Sequence, residues 1–469
     1  MFARRPAPRL RVEALEDRAT PTAGDLDLSF AGDGIAVNPV GAGTSVGNDL
    51  AIQTDGRIVV VGQSYPSSPA NVDFTVVRYR PDGSLDPTFG AGGRVTTSFA
   101  KFADEAQAVA IQSDGKILVA GYANLGNSSS GSGQDNAFAL ARYLPNGALD
   151  TTFGKKGLVT TQLARSAPDS VSAIVLRPDG KIVAIGSSNG NIAAARYTSS
   201  GQLDPTFDGD GVFVHSRPGT NSLHAAALLP DGRVVAVGSD DGSAGLVVRF
   251  NANGGLDPTF GTGGVVAAPP FVSLEDLAVA PDGKILAGGW VGVAGPSGAD
   301  RVVARFNPDG GLDPTFGEDR NADGVRDGYS QVASGRIYGL SLDADGRIVT
   351  SGFVFSPDSQ NPAGSWDRDF AVFRYTSDGL PDSTFGSGGA SVTDVSGTDS
   401  EHFFGIAIQG DGRIVAVGGA VDPATQRQNI AVARFLGDDP SVAPLVSIAP
   451  PVDLTDLNDP WAVSGPDVG

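Results

Sequence analysis

Short runs of apolar, mostly β-branched residues alternate with polar turns along most of the chain. The run at 58–61 (IVVV) follows an Asp-Gly-Arg turn at 55–57, and a shorter run at 50–52 precedes that turn. Two apolar runs around an Asp-Gly turn predict a β-hairpin. Stretches with the 3.6-residue period of an amphipathic helix are nearly absent, so the pattern predicts an all-β fold and excludes a parallel βαβ sheet.

The hairpin belongs to a unit that recurs seven times. The Asp-Gly turn is followed by Lys or Arg in every unit and begins at Asp55, Asp114, Asp179, Asp231, Asp282, Asp345 and Asp411. A third apolar run ends in Arg plus an aromatic residue, as at Arg78-Tyr79, and a fourth short run (94–97 in the first unit) follows a Leu-Asp-x-Thr-Phe segment. Each unit is therefore predicted to be four short antiparallel strands.

The two ends of the repeat region complement each other. The last unit stops after Arg434-Phe435 and lacks its Leu-Asp-x-x-Phe segment, whereas the sequence Leu-Asp-Leu-Ser-Phe occurs at 26–30. An N-terminal strand that completes the last unit closes a ring, while an open solenoid gives no reason for the split. Residues 24–437 are thus predicted to form a seven-bladed β-propeller of four-stranded antiparallel blades.

The repeated unit resembles a known family. The pattern P-D-G-K-I-V-x-x-G, followed by A-R-Y-x-x-x-G-x-L-D-x-T-F-G-x-G-G, is similar to the bacterial delta-60 repeat, a β-propeller family of unknown function. The resemblance covers about 24–437. It implies the propeller fold and implies no activity and no catalytic residues.

The repeated charges predict seven ion pairs. In six units an Asp follows the strand-ending Arg by eight residues, and the seventh pair joins the two ends of the repeat region. We expect each Arg to need this partner, because an unpaired, partly buried charge is costly. Seven near-identical copies suit a scaffold better than a ring of catalytic Asp, since an active site is normally asymmetric. The predicted pairs are Arg78–Asp86, Arg142–Asp150, Arg196–Asp204, Arg249–Asp257, Arg305–Asp313, Arg374–Asp382 and Arg434–Asp27.

Charge and composition narrow the partners. The net charge of −20 disfavours nucleic acid and anionic membrane surfaces. No apolar run reaches the length of a membrane span, and the absence of Cys excludes disulfides and thiolate metal sites. We expect a monomer.

The segments outside the repeats differ from them. Residues 1–23 form a basic leader, predicted to be disordered, without the apolar stretch of an ordinary signal peptide. Its R-L-x-V-E-x-L-E-D-R-x-x-P pattern resembles the leader of large exported bacterial proteins, which implies an extracytoplasmic or secreted location. Residues 438–469 are Pro-rich and acidic, and are predicted to be a tail or linker.

Candidate ligand-binding residues lie on one face of the predicted ring. The Asp-Gly turns and the Leu-Asp-x-Thr-Phe segments share one face and are nearly constant, whereas the loops on the opposite face vary in length and composition. Variable loops on a regular scaffold are the usual binding positions. On this variable-loop face we predict Trp290 and Trp366, with Tyr65, Asp367, Arg368 and Asp369. Near the entrances of the innermost strands we predict a ring of Asn48, Gln107, Ser172, His224, Glu275, Tyr338 and Phe404.

One loop has the spacing of a calcium site. Residues 319–327 fit D-x-N-x-D-G-x-x-D, which supplies oxygens from Asp319, Asn321, Asp323 and Asp327 and the backbone carbonyl of Val325. The loop resembles EF-hand, dockerin and thrombospondin-type calcium loops, but Ser330 stands where an EF-hand has its bidentate acid. An Asx-rich turn is the alternative. We expect weak binding, about 10⁻⁴–10⁻³ M, with calcium as a structural ion.

Two functions remain open from the sequence. The first is a non-catalytic extracytoplasmic binding or scaffold propeller, with an unknown protein or carbohydrate as ligand and calcium as its only cofactor. The alternative is a propeller hydrolase or lyase that holds a metal in its central channel, for which Glu275, Asp49 and Asp276 are the available carboxylates. No catalytic motif or His ligand spacing supports this alternative.

Overall fold

The computed structural model describes residues 21–65, 72–100, 102–126, 135–164, 167–241, 244–294, 298–357, 366–395, 401–422 and 425–438. For residues 356–357 and 366–367 only the backbone is described. This part of the chain forms 28 strands in seven four-stranded antiparallel sheets and contains no helix. The predicted all-β architecture of seven four-stranded blades is confirmed.

The strands follow the four-run pattern of the sequence. The chain begins with β1 (Ile35–Asn38), which belongs to the last blade. Blade 1 contains β2 (Ser45–Ile52), β3 (Ile58–Ser64), β4 (Asp73–Tyr79) and β5 (Arg94–Thr97). Blade 2 contains β6 (Asp104–Ile111), β7 (Ile117–Asn124), β8 (Asn136–Tyr143) and β9 (Leu158–Thr161). Blade 3 contains β10 (Asp169–Leu176), β11 (Ile182–Ser188), β12 (Asn191–Tyr197) and β13 (Val212–His215).

The remaining blades repeat this order. Blade 4 contains β14 (Asn221–Leu228), β15 (Val234–Asp240), β16 (Ala244–Phe250) and β17 (Val265–Ala268). Blade 5 contains β18 (Phe271–Val279), β19 (Ile285–Gly292), β20 (Ala299–Phe306) and β21 (Tyr329–Val332). Blade 6 contains β22 (Arg336–Leu342), β23 (Ile348–Pro357), β24 (Trp366–Tyr375) and β25 (Ala390–Thr393). Blade 7 contains β26 (His402–Ile408), β27 (Ile414–Asp422) and β28 (Arg427–Phe435), with β1 as its fourth strand.

The seven sheets close into a ring. The first strand of each blade contacts the first strand of the next, and β26 of blade 7 contacts β2 of blade 1. These seven inner strands therefore surround a central channel, and the fourth strands lie at the outside.

The N-terminal segment completes the last blade, as the sequence predicted. Strand β1 pairs antiparallel with β28, with Ile35 opposite Ala433. Upstream of β1, the backbone N–H of Asp27 donates to the carbonyl of Arg434 at 2.8 Å, and Leu26 forms a bridge with Phe435. The ring is therefore closed by contacts between segments about 400 residues apart in the sequence.

The hydrophobic core lies between neighbouring blades. Phe89 of blade 1, for example, packs in one buried cluster with Ile117 and Tyr143 of blade 2. The aromatic residue after each strand-ending Arg is buried in the same way. Each blade alone would leave both faces of its sheet exposed, so the apolar burial that stabilises the fold comes from stacking the repeats.

Candidate functional site

Every inner strand contains a β-bulge, and the bulged residue is the predicted ring residue. The register between first and second strands shifts on either side of Asn48 in blade 1 and around the corresponding residue of every other blade. An extra residue in a strand re-aims its side chain. The ring consequently lies in the middle of the inner strands, so the prediction that it lies near their entrances was wrong.

A glycine opposite each bulge makes this backbone path possible. A Cβ on Gly62 would lie 2.0 Å from the carbonyl oxygen of Val46, and one on Gly121 would lie 1.9 Å from that of Glu105. No side chain fits at such distances. The Gly that ends the apolar run of each second strand thus belongs to the bulge, a role that the sequence analysis did not assign.

The seven ring side chains line one cavity of about 210 Å³ in the channel. The residues predicted to form a ring thus surround one space, and their role as ligand contacts stays a prediction. Although the seven bulges are alike, the side chains they carry are all different: Asn48, Gln107, Ser172, His224, Glu275, Tyr338 and Phe404. The repeated scaffold therefore surrounds an asymmetric cavity.

A polar cluster lies at blades 1 and 2. The Glu105 carboxylate accepts hydrogen bonds from Gln107 Nε2 at 2.6 Å, Asn48 Nδ2 at 3.2 Å and the Tyr122 hydroxyl at 3.0 Å. Burial raises the pKa of Glu105 despite these donors. The amide nitrogen of Asn48 also donates to the carbonyl of Ala106 at 2.9 Å, which links the two blades.

A His–Glu pair lies at blades 4 and 5. His224 Nδ1 is 3.0 Å from a Glu275 carboxylate oxygen and 3.1 Å from the carbonyl of Leu274. Both partners are acceptors, so Nδ1 carries a proton. Burial alone would lower the pKa of His224, but the hydrogen bond to Glu275, the negative charge of Glu275 and the Leu274 carbonyl together outweigh burial and raise the pKa. Trp290 Nε1 donates to the other Glu275 oxygen at 3.2 Å, and the structure thus joins three predicted candidates.

Hydrogen bonding also determines the charge of Glu275. Burial opposes ionisation of this carboxyl, but donors from His224, Ser273 and Trp290 outweigh burial and lower its pKa. The pair is consequently an ion pair at pH values between the lowered pKa of Glu275 and the raised pKa of His224. Its sequence signal was weak, because His224 and Glu275 are 51 residues apart.

Aromatic rings form the third side of the channel, at blades 6 and 7. The Tyr338 and Phe404 rings lie 5.4 Å apart, and Phe353 and His402 pack beside them, with His402 4.4 Å from Phe404. Burial, with a smaller effect of Arg368, lowers the pKa of His402 to about 4. His402 is therefore neutral at pH 7 and acts as another aromatic ring.

The two inner carboxylates named in the sequence analysis link adjacent blades. Asp49 accepts from the backbone N–H of Leu50 at 2.7 Å and of Val109, in blade 2, at 2.8 Å. Asp276 does the same with Leu277 at 2.8 Å and with Leu340, in blade 6, at 2.6 Å. Burial raises their pKa values to about 6 and about 7. Across the described ranges, no group of three His, Cys, Asp or Glu side chains is arranged to hold a metal ion.

Trp366 and the predicted calcium loop lie away from the cavity lining. Trp366 begins β24 and pairs with Pro357, and its side chain is outside the described part of the chain. The loop at 319–327 connects β20 and β21, on the face of the Asp-Gly turns. Asp319 accepts from the N–H of Gly324 at 2.9 Å, Asn321 from that of Asp323 at 3.1 Å and Asp323 from that of Val325 at 2.8 Å, while Asp327 accepts from the N–H of Arg320 at 3.1 Å. The oxygens thus face the inside of a tight loop.

The predicted Arg–Asp pairs occupy the Asp-Gly face, and all seven form. Their Nε–oxygen distances are 2.7–2.9 Å, including 2.9 Å for Arg78–Asp86 and 2.8 Å for Arg434–Asp27 across the closure. Each guanidinium also lies 4.5–4.9 Å from the ring of the Phe three residues after its Asp. We call these seven pairs the ladder.

The basic residue of the Asp-Gly turn joins the ladder, a contact that the sequence analysis missed. In six blades its side chain lies 2.6–3.5 Å from the ladder Asp, as Lys181 does with Asp204 at 2.9 Å. In blade 6, Arg347 instead pairs with Asp343 and with Asp438. The invariable Lys or Arg after each Asp-Gly was the available signal. The charges of this face are therefore used within the scaffold.

Comparisons with known proteins agree with the fold. The family described as "Domain of unknown function (DUF5122) beta-propeller" matches residues 53–89, 112–153, 177–207, 229–260 and 280–316, one segment in each of blades 1 to 5. In these segments the chain is similar to that family. No curated protein matches the sequence.

Solved structures with a similar fold have low sequence identity. A catalytically inactive virginiamycin B lyase from Staphylococcus aureus, with quinupristin, has a TM-score of 0.45 and 11% identity over 86% of this chain and 99% of its own. YCF48 bound to the D1 peptide has a TM-score of 0.46 and 12% identity over 92% and 100%. The calcium-binding protein regucalcin from Agrobacterium tumefaciens has a TM-score of 0.36 and 13% identity over 71% and 91%. These similarities concern the fold alone. In the described ranges no helix is long and apolar enough to cross a membrane.

Proposed function

We propose that the protein is a non-catalytic binding or scaffold propeller whose ligand, a protein or a carbohydrate, docks on the variable-loop face at the mouth of the channel. The supporting observation is the contrast between the channel and the Asp-Gly face. Seven identical bulges hold seven different side chains around one cavity, whereas the charges of the Asp-Gly face are used in the ladder. Side-chain diversity on a uniform scaffold is typical of a binding surface.

A binding screen with a matched pair of variants tests this proposal. The full chain would be applied to an array of bacterial and plant polysaccharides and, in parallel, used to capture proteins from a bacterial surface extract. Trp290→Ala changes the variable-loop face, and Lys181→Ala changes the Asp-Gly face. We expect bound material to be lost with Trp290→Ala and retained with Lys181→Ala. Ligands that depend on Lys181 and not on Trp290 would contradict the proposal.

We propose an extracytoplasmic location on the basis of the leader. Its R-L-x-V-E-x-L-E-D-R pattern lies in residues 9–18, outside the described residues. Fractionation of cells that express the full chain, compared with a chain lacking residues 1–23, measures export. Equal amounts of both chains outside the cytoplasm would contradict a role of the leader. Size-exclusion chromatography with light scattering tests the proposed monomer.

We propose calcium as a structural ion at the 319–327 loop, because the side chains of Asp319, Asn321, Asp323 and Asp327 crowd one tight loop. Calorimetric titration with Ca²⁺ should show binding at about 10⁻⁴–10⁻³ M, and Asp323→Ala should abolish the heat. No heat and no change in melting temperature with the unaltered chain would reject the site.

The hydrolase or lyase alternative remains a prediction with less support. Its channel metal needs converging ligands, and Asp49 and Asp276 each direct both carboxylate oxygens to backbone N–H groups. The binding proposal needs no such rearrangement.

A further inference from the structure

The hydrogen-bonding side chains of the channel cavity have fixed orientations, and these orientations narrow the class of ligand that can bind. Asn48, Gln107 and His224 all line the cavity, and each is fixed through a nitrogen that donates. Asn48 uses Nδ2 toward Ala106 and Glu105, Gln107 uses Nε2 toward Glu105, and His224 uses Nδ1 toward Leu274 and Glu275. The carbonyl and carboxylate partners determine the two amide orientations and the His tautomer.

Asn48 and Gln107 then each have one acceptor left, whereas His224 Nε2 is an acceptor in the neutral ring and a donor in the His224–Glu275 ion pair. Among the hydrogen bonds of the described residues, none uses Asn48 Oδ1, Gln107 Oε1 or His224 Nε2. Two amide oxygens and one imidazole nitrogen around one cavity suit a ligand with several hydroxyl groups, because a hydroxyl can both donate and accept a hydrogen bond.

The opposite side of the cavity is aromatic. Tyr338 and Phe404 line it, with Phe353 packed behind Tyr338. Aromatic rings at this position suit a ligand that has one apolar face. The polar side of the cavity requires only that the ligand carry hydroxyl groups. The wall also disfavours a fully hydrated ion.

Charge and size add two limits. The carboxylates of Glu105 and Glu275 already accept hydrogen bonds from side chains around the cavity. An anionic ligand would meet these carboxylates, and a cation would have to displace their donors. The volume of about 210 Å³ is below the roughly 300–1,000 Å³ of pockets for drug-sized ligands, so a single small ring fits better than a nucleotide or a lipid chain.

We propose that the channel cavity binds one neutral, polyhydroxylated six-membered ring, a pyranose, either free or at the exposed end of a glycan. Its hydroxyl groups donate to Asn48 Oδ1 and Gln107 Oε1, and one of them pairs with His224 Nε2 as donor or acceptor, according to the charge of the imidazole. Its C–H face packs on Tyr338 and Phe404. This inference rests on the proposed function and names its ligand class. The seven side chains at the bulges then bind the sugar inside the channel, while the loops at the channel mouth contact the rest of the ligand.

Saturation-transfer NMR on the full chain tests the proposal. The probes are the methyl glycosides of glucose, galactose, mannose and N-acetylglucosamine, and short oligosaccharides that end in the same sugars. Gln107→Met removes the acceptor at similar size, and Gln53→Met makes the same change on the Asp-Gly face. We expect at least one probe to bind, with affinity reduced at least tenfold by Gln107→Met and unchanged by Gln53→Met. Binding of oligosaccharides alone would identify the glycan end, and binding of free glycosides the free sugar.

Two results would overturn the inference. One is the absence of saturation transfer from every probe to the unaltered chain while circular dichroism and melting show it folded. The other is oligosaccharide binding that Gln107→Met and Tyr338→Ala leave unchanged but Trp290→Ala abolishes. The second result would retain the proposed function and reject only the channel as the sugar site.

Discussion

Replacing Asp27 by Ala should weaken the closure of the ring. Asp27 and Arg434 are each 5% exposed, and the Asp27 carboxylate also accepts from the backbone N–H and the hydroxyl of Ser29 at 3.0 and 2.6 Å. The substitution leaves the Arg434 guanidinium buried. Among the described residues, the carbonyl of Pro81 and the hydroxyl of Ser29 are the acceptors that remain. Removing one partner of a buried ion pair costs about 3–5 kcal/mol.

That cost corresponds to a measurable shift in melting temperature. With about 2.1 cal/mol/K of unfolding entropy per residue, the roughly 400 residues of the propeller give about 0.8 kcal/mol/K, so Tm should fall by roughly 4–6 °C. Asp86→Ala is the matched control. It breaks the equivalent pair in blade 1, where the partners are eight residues apart and 5% and 1% exposed.

Hydrogen exchange separates closure from general destabilisation. Strand β1 is four residues long and pairs with β28. The Asp27–Arg434 contact beside it joins residues that are 407 positions apart in the sequence. Asp27→Ala should increase exchange in β1 and β28 selectively, whereas Asp86→Ala should increase it in blade 1. An unchanged Tm for Asp27→Ala, or equal exchange of β1 in the two variants, would refute the assigned role of this pair.

Three further perturbations test the scaffold. Gly121→Ala should destabilise the protein by about 1–3 kcal/mol in chemical denaturation, because its Cβ would lie 1.9 Å from the Glu105 carbonyl oxygen. Gly410→Ala is the control and should be close to neutral, because open space surrounds its Cβ. Lys181→Met should cost under about 1 kcal/mol and Arg196→Met several times more, since Lys181 is half-buried and Arg196 buried beside the same Asp204; equal costs would contradict this ordering. Tm should peak at mildly acidic pH. Burial opposes ionisation of the ladder carboxylates, but hydrogen bonds from Ser or Thr and the ladder Arg lower their pKa values below 3.8, so their contribution is present above that pH and lost as pH falls below it. Burial raises the pKa values of Asp49 and Asp276 to about 6 and about 7, so they contribute stability that is present below pH 3.8 and lost as pH rises through these values. Asp276→Asn should reduce this fall of Tm with rising pH. A Tm that rises steadily from pH 5 to 8 would contradict the assignment.

The sequence by itself determined the scaffold, because each scaffold contact is repeated. Seven Asp-Gly turns, seven strand-ending Arg residues and a constant eight-residue spacing define the strands, the blade number and six of the ladder pairs. The displaced Leu-Asp-Leu-Ser-Phe segment determined the seventh pair and the closure. In a repeat fold each unit contacts its neighbours in the same way, so local sequence carries long-range structure.

Only the tertiary structure decided how the channel is built. The bulge that places Asn48 and its six equivalents in mid-strand depends on the pairing of two strands. Gly62 and the corresponding glycines mark the bulge in the sequence, but their role became clear only because a Cβ on Gly62 would lie 2.0 Å from the Val46 carbonyl oxygen. The contact between His224 and Glu275 joins different blades and occurs once. Such contacts are not repeated along the sequence, so the sequence contains no pattern that predicts them. Closure of the ring brings these side chains from different blades together in one cavity.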